Sequence, residues 1–160
     1  MAAVSLDRPI ELEFLFEFLM ELASASKPAH DLGPTPSGYR AVGAITGGWV
    51  KGPRINARVI EGIDYAIRRP DNALVPDIRV VIETDDGAKI LMSYQGVIEP
   101  WDEVLKARKG EPYDEAKINW KVMITFETSV EKYDWLNRTQ AVARGAVVDG
   151  GFHYRAYELV

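Results

Sequence analysis

From Ile10 to Phe18 the chain alternates between apolar and charged positions. Ile10, Leu12, Phe14, Phe16 and Phe18 fall on one side, and Glu11, Glu13 and Glu17 on the other. A period of two buries one face of a strand and wets the other, whereas a helix would spread the same residues around its whole circumference. A strand is therefore predicted. Residues 31–38 are dense in turn formers (Gly33, Pro34, Pro36, Gly38) and read as a loop outside any sheet. Short extended runs follow at 39–45, 49–50, 55–60 and 63–67. Gly47, Gly48, Gly52 and Gly62 punctuate them, as bulges and corners in a curved sheet require. Two hairpins are predicted, one turning at Asp86-Gly87 between runs 78–83 and 89–94, the other at Asp149-Gly150-Gly151 between 141–148 and 152–159.

One helix is predicted, over 100–109. Pro100 suits a first turn, Asp102 and Glu103 favour its N-terminal end, and Lys106, Arg108 and Lys109 its C-terminal end before Gly110. Trp101, Val104 and Leu105 form its apolar face. Residues 133–136 add one further helical turn. About nine short strands with a single helix favour a closed all-β architecture. The expectation is an antiparallel up-and-down-type β-barrel with the helix packed over it. Residues 1–160 form one domain, of which 1–8 are expected to be flexible.

Composition narrows the function classes. The 160 residues include no cysteine, which removes disulfides, thiolate catalysis and cysteine-bound zinc, and suits a cytoplasmic location. A net charge of -5 argues against nucleic acid, whose phosphates need a basic stripe; Lys51, Arg54, Arg58, Arg68 and Arg69 are only a scatter. No segment approaches the roughly 20 apolar residues of a membrane span. Residues 14–20 are interrupted by Glu17 and follow no basic region, so a secretion signal is not expected. The partners expected are a small molecule and a second copy of the chain as a homodimer, with no nucleic acid and no membrane.

Familiar catalytic machinery is absent. There is no Gly-x-Ser-x-Gly elbow and no glycine-rich phosphate loop, and His30 and His153 sit in no metal-ligand pattern. No metal and no cofactor are expected. What remains is acid–base chemistry by carboxylates, arginines, tyrosines and amides. Asp64, flanked by Ile63 and Tyr65 in an apolar segment, is the candidate base; an exposed or turn-capping aspartate is the plainer reading. Arg79 shares a strand face with Asp77 and Glu83, and either lines a polar lumen or belongs to a solvated ladder. Tyr94 is the other candidate for stabilising negative charge. Tyr39, Trp49, Trp120, Glu127 and Asn137 are candidate substrate-binding residues. The aromatic ones combine flat apolar area with a polar tip, though core packing is the commoner fate of any single aromatic residue. Thr46-Gly47-Gly48 reads as a strand bend or as N–H donors to an oxyanion.

An ordered set of short motifs carries a resemblance. It comprises Asp31-Leu32-Gly33-Pro34-Thr35-Pro36, Ile45-Thr46-Gly47-Gly48, Gly52-Pro53-Arg54, Thr84-Asp85-Asp86-Gly87, Phe126-Glu127-Thr128 and Trp135-Leu136-Asn137. In these the chain resembles the bacterial family called domain of unknown function 3237, from about Leu12 to Leu159. The resemblance implies a compact antiparallel β-barrel, cytoplasmic, with no established cofactor, and it implies no particular activity. Two departures stand out. Gly62-Ile63-Asp64-Tyr65 replaces the Gly-Ala-Asp-Trp usual in relatives, and Val80 stands where an aromatic residue usually follows the arginine.

The leading functional expectation is a cofactor-independent lyase, isomerase or cyclase acting on a small aromatic or polyketide-like molecule. The alternatives are a non-catalytic carrier or sensor barrel, and a homo-oligomeric structural domain. An inward cluster of Asp64, Arg79 and an aromatic wall favours catalysis. A uniformly apolar lumen favours carriage.

Overall fold

The computed structural model describes residues 5–22 and 29–160. Its strands are β1 (Leu12–Leu22), β2 (His30–Thr35), β3 (Gly38–Lys51), β4 (Asn56–Asp64), β5 (Ile67–Arg68), β6 (Leu74–Val75), β7 (Asp77–Thr84), β8 (Lys89–Glu99), β9 (Asn119–Glu127), β10 (Ala141–Val148) and β11 (Gly151–Leu159). Eight of them close an antiparallel barrel in the order β1-β3-β4-β7-β8-β9-β10-β11, with β11 returning to β1. Every neighbour in the ring is the next long strand along the chain, so the expected up-and-down barrel is what forms. Helix α1 (Trp101–Arg108) lies where it was predicted, against β8 and β10. Among the described residues no helix is long and apolar enough to cross a membrane.

The two barrel ends differ. One is sealed by a 3-10 turn, Glu131–Arg138, whose Tyr133 and Leu136 are buried. Asp86 of the β7–β8 turn accepts hydrogen bonds from the Tyr133 hydroxyl at 2.9 Å and from Lys132, which ties this plug to the wall. At the other end β2, β5, β6 and α1 surround a mouth.

Three sequence expectations need correction. Residues 31–38 are not wholly outside the sheet: β2 pairs with the start of β3, and the turn is confined to residues 36–37. Pro34 is tolerated because β2 is an edge strand, where a missing N–H costs no ladder bond. The runs 39–45 and 49–50 are one strand, β3, and 55–60 and 63–67 are largely one strand, β4. In β1 the register slips between Phe14 and Phe16. Phe16, Phe18 and Met20 point inward, but Phe14 is 41 % exposed and Ile10 and Leu12 are on the surface. The predicted flexibility of residues 1–8 falls on 1–4, which lie outside the described residues, and on 5–8, which are exposed and precede the first strand.

The lumen is lined with rings from the mouth inward. Phe18 stacks on Tyr154 with centroids 4.5 Å apart, and Trp120 meets Phe152 edge-on at 4.7 Å. Room for them comes from β10, whose inward residues Ala141, Ala143 and Gly145 are all small; a Cβ on Gly145 would lie 2.5 Å from the Trp120 ring. Large side chains opposite small ones fill a barrel interior at crystal-like density.

A second slip in register decides which way β4 faces. Val59 pairs with Ile82 and Glu61 with Val81, so Ile60 is the extra residue of a bulge. Before it Ala57 and Val59 point inward; after it Gly62 and Asp64 do, while Ile63 is turned out and is 41 % exposed. Gly62 makes this possible. A Cβ there would lie 2.2 Å from a Val80 methyl and 2.5 Å from the Arg79 carbonyl oxygen. Replacing Gly62 by alanine should cost about 1–3 kcal/mol through overpacking. Denaturant unfolding of Gly62→Ala beside the parent protein checks this, and an unchanged midpoint would refute it.

Candidate active site

Past the bulge, the last residue of β4 is Asp64. Its register partner is Ile78, Ile78 pairs with Tyr94, and Tyr94 with Ile124. Directly opposed residues share a face, and Ile78, Tyr94 and Ile124 are all buried, so the row faces the lumen. Asp64 therefore brings a carboxyl to an apolar wall. The Asp77 N–H donates to its Oδ1 at 3.2 Å, and no cation among the described residues pairs with it. Burial pushes its pKa up to about 6; the Asp77 amide opposes the shift and the Asp77 charge adds to it.

Asp64 lines a cavity of about 450 Å³ at the mouth, within the range of small-molecule sites. The inward face of β3 keeps it open: Tyr39, Ala41 and Gly43 line it, and a Cβ on Gly43 would meet only Ala29 at 3.7 Å. Trp101 of α1 and Phe152 of β11 supply aromatic surface, and Arg68 and Arg108 supply cations. The Tyr39 hydroxyl donates to Asp31 at 2.5 Å, which raises its pKa, and the Arg68 guanidinium lies 4.9 Å from the Tyr39 ring centroid.

Deeper in the barrel are three wholly buried polar atoms, Tyr94 Oη, Tyr154 Oη and Trp120 Nε1. None has a hydrogen-bond partner among the described residues. The Tyr94 and Tyr154 rings are 5.5 Å apart and those of Trp120 and Tyr154 5.8 Å. Burial, then the neighbouring Tyr154 phenol and the Asp64 charge, push the Tyr94 phenol well above its usual pKa. Tyr154 is raised by burial and by Asp64, against the lowering effect of the Tyr94 hydroxyl and the Trp120 N–H that face it. Both stay protonated donors at neutral pH.

Of the residues singled out from the sequence, Asp64 and Tyr39 line the cavity, while Tyr94 and Trp120 are buried in the lumen and do not line it. The others lie elsewhere. Arg79 is on the outer wall, its side chain 58 % exposed beside Asp77, because Ile78, Val80 and Ile82 take the apolar inside. Trp49 is also outside, against His153 at 5.5 Å and under Lys51 at 4.5 Å, because Val50 takes the inward place beside it. Glu127 is exposed at the sealed end, where the alternation of β9 turns Phe126 in and Glu127 out. Asn137 makes two hydrogen bonds to the Thr128 backbone, at 2.8 and 2.9 Å, and locks the plug to β9. Gly47 and Gly48 form a bend in β3, not a free donor loop. Sequence reasoning missed Arg68, Arg108, Trp101, Phe152 and Tyr154. Arg68 was visible only within a scatter of cations, and Arg108 and Trp101 only as helix-end and helix-face residues.

A site of this description can hold a small molecule and exchange one proton with it. Among the described residues no cluster of three or more histidine or acidic side chains could hold a metal ion.

The family model described as "Protein of unknown function (DUF3237)" matches residues 10–159. The chain belongs to this family. Relatives are found in bacteria and in a fungus. The hydroalkoxylation enzyme phnH of the fungus Penicillium herquei is 32% identical over 134 residues, covering 83% of this chain and 72% of phnH. A β-barrel-like protein of Acinetobacter baumannii superposes with a TM-score of 0.81 at 32% identity, over 96% of this chain and 98% of that one. An enzyme from P. herquei superposes with a TM-score of 0.74 at 25% identity, over 99% and 100%. The fold and the DUF3237 membership implied by the motifs are thus both found.

The Asp64 carboxyl titrates at about 6 in the folded chain, against 3.8 when unperturbed. A raised folded pKa stabilises the protonated fold. That contribution is complete below pH 3.8 and is lost as pH rises through 6, amounting to about 3 kcal/mol. Asp64→Asn should therefore be more stable than the parent at pH 8 by up to about 3 kcal/mol, with the gain vanishing near pH 4. Thermal unfolding of both proteins across that range measures it; a constant difference would show that Asp64 does not carry the shift.

Proposed function

We propose that the chain is a cofactor-independent acid–base enzyme acting on a small aromatic or polyketide-like molecule held in the barrel mouth. The observation that carries this reading is Asp64, a carboxyl raised to a pKa of about 6 on the wall of an open cavity. A base poised near neutrality is matched to its task, and burial is the usual means of achieving it. The hydroalkoxylation activity named for the fungal relative is of this kind, since adding O–H across a carbon–carbon double bond needs proton transfer and no redox step.

In such a step the Asp64 carboxylate takes the proton of a substrate hydroxyl. The freed oxygen pair forms the new C–O bond to a conjugated alkene, whose electrons move onto the carbonyl or ring. Asp64 then returns the proton to carbon. Tyr94 is the donor for the transient oxyanion: its buried hydroxyl is held protonated and turns from Tyr154 to the oxyanion. The carrier reading fits less well, because the lumen is not uniformly apolar.

Turnover of aryl enones that carry an ortho hydroxyl, such as 2′-hydroxychalcone, to cyclic ethers, followed by chromatography, tests the assignment. Asp64→Asn should lower the rate on the order of a hundredfold or more, and a change under about threefold would remove Asp64 from the mechanism. Because the deprotonated form is the base, kcat/KM should rise with pH and level off above about 6. Tyr94→Phe should cut kcat by about a hundredfold. An unchanged kcat would show that Tyr94 only packs.

A further inference from the structure

Several arginines of the outer wall are paired with carboxylates. Arg54 meets Glu158, Arg58 meets Glu83, Arg155 meets Glu17 and Arg138 meets Asp134, at 2.7 to 3.4 Å. The two arginines that line the mouth cavity are not: neither Arg68 nor Arg108 has a carboxylate partner among the described residues. Arg144 of the outer wall also has none among the described residues; what sets Arg68 and Arg108 apart is that both line the cavity that holds Asp64. At the rim, Asp31 accepts the Tyr39 hydroxyl.

Both guanidinium groups are placed against rings. Arg68 lies over Tyr39, and Arg108 lies 5.5 Å from the Phe152 ring centroid. Helix α1 accounts for a cation at its C-terminal end, but not for one turned over Phe152 into the cavity and desolvated enough to lower its pKa. Neither arginine depresses Asp64, whose shift comes from burial and from Asp77 alone. The cations and the carboxyl therefore share one cavity without contact. A ligand that engages both has to span it.

We propose that Arg68 and Arg108 form an anion subsite, so that the preferred ligand is an aromatic molecule carrying a carboxylate, phenolate or comparable anionic oxygen group. The aromatic body lies between Tyr39, Trp101 and Phe152. This rests on the reading of Asp64 as base only in placing the reacting end of the ligand there; the anion subsite itself does not require it. Arginine is suited to the role because its planar fork binds a pair of oxygens and its face stacks on aromatic rings.

Binding of two fluorescent probes tests this without turnover: 8-anilinonaphthalene-1-sulfonate, and its neutral counterpart N-phenyl-1-naphthylamine. The parent protein should bind the sulfonate at least about tenfold more tightly, as a charged hydrogen bond warrants. Arg68→Gln and Arg108→Gln should each weaken the sulfonate by about tenfold and leave the neutral probe within about twofold. Asp64→Asn should keep the preference for the anion. Should an arginine variant melt early, the salt dependence of the parent protein serves in its place. From about 0.02 to about 1 M salt the sulfonate should weaken and the neutral probe should not. Equal affinities in the parent, equal losses for both probes, or no binding of either would overturn the anion subsite. If the subsite fails while Asp64→Asn still abolishes turnover, the acid–base reading survives; if Asp64→Asn turns over normally while the anion preference holds, only the subsite does.

Discussion

Everything at the mouth depends on one extra residue in β4. With Ile60 bulged out of the β4–β7 ladder, the strand changes parity and its last inward position is held by an aspartate in place of an isoleucine. The energetic sign of this exchange is unfavourable in both directions. Ile63 is turned to solvent, and a carboxyl is turned toward Ile78 and Tyr94. A sheet left to the hydrophobic effect would do the reverse. Bulges gather beside functional sites because they re-aim a side chain without disturbing the strands on either side, and here the cost of the re-aimed group appears as the raised Asp64 pKa.

The packing of the lumen answers this local cost. Phe16, Phe18, Ile82, Ile90 and Met92 are fully buried toward the sealed end, each contributing on the order of 1.5–3 kcal/mol. The mouth is built differently. Its wall on β3 is Ala41 and Gly43, and its polar groups are either unpaired or tied to the rim. One barrel thus divides its length between a region that holds the fold together and a region whose groups are less stable than they would be elsewhere. The buried hydroxyls of Tyr94 and Tyr154 lie at the boundary between the two.

Much of the architecture was legible from alternation. The strands, both hairpins, the helix and closure in sequential order follow from period-two patterns and turn residues that act locally. The errors sit where register slips. Periodicity read through residues 10–18 put Phe14 inside, because a bulge leaves no mark in the hydrophobic pattern; read through residues 57–64 it would have placed Ile63 inside and Asp64 outside. Asp64 was singled out instead as an acid in an apolar run. Arg79 failed for the opposite reason. Its strand keeps strict alternation, so the plain rule that isoleucines face inward held, and the polar-lumen alternative did not apply there. Arg68 and Arg108 were not legible as site residues at all. One sits in a two-residue strand, and the other on a helix remote in sequence from Asp64; only the closing of the barrel makes them neighbours of one cavity.

The closure itself joins the two ends of the chain. Leu12 of β1 pairs with Leu159 of β11, and Glu11 and Val160 exchange backbone hydrogen bonds at 2.9 and 3.0 Å. Until β11 has emerged, a growing chain can carry the meander from β1 to β10 but not the finished ring, and it presents two open edges to any other strand nearby. β11, the last of these strands to be made, removes both edges, at the greatest loop-closure cost in the barrel. By the same geometry, the order of synthesis is not fixed by the finished wall. A chain begun at the exposed Asp149-Gly150 turn, with residues 11 and 160 bridged by a short linker, would build an identical ring in which the present seam is an ordinary hairpin.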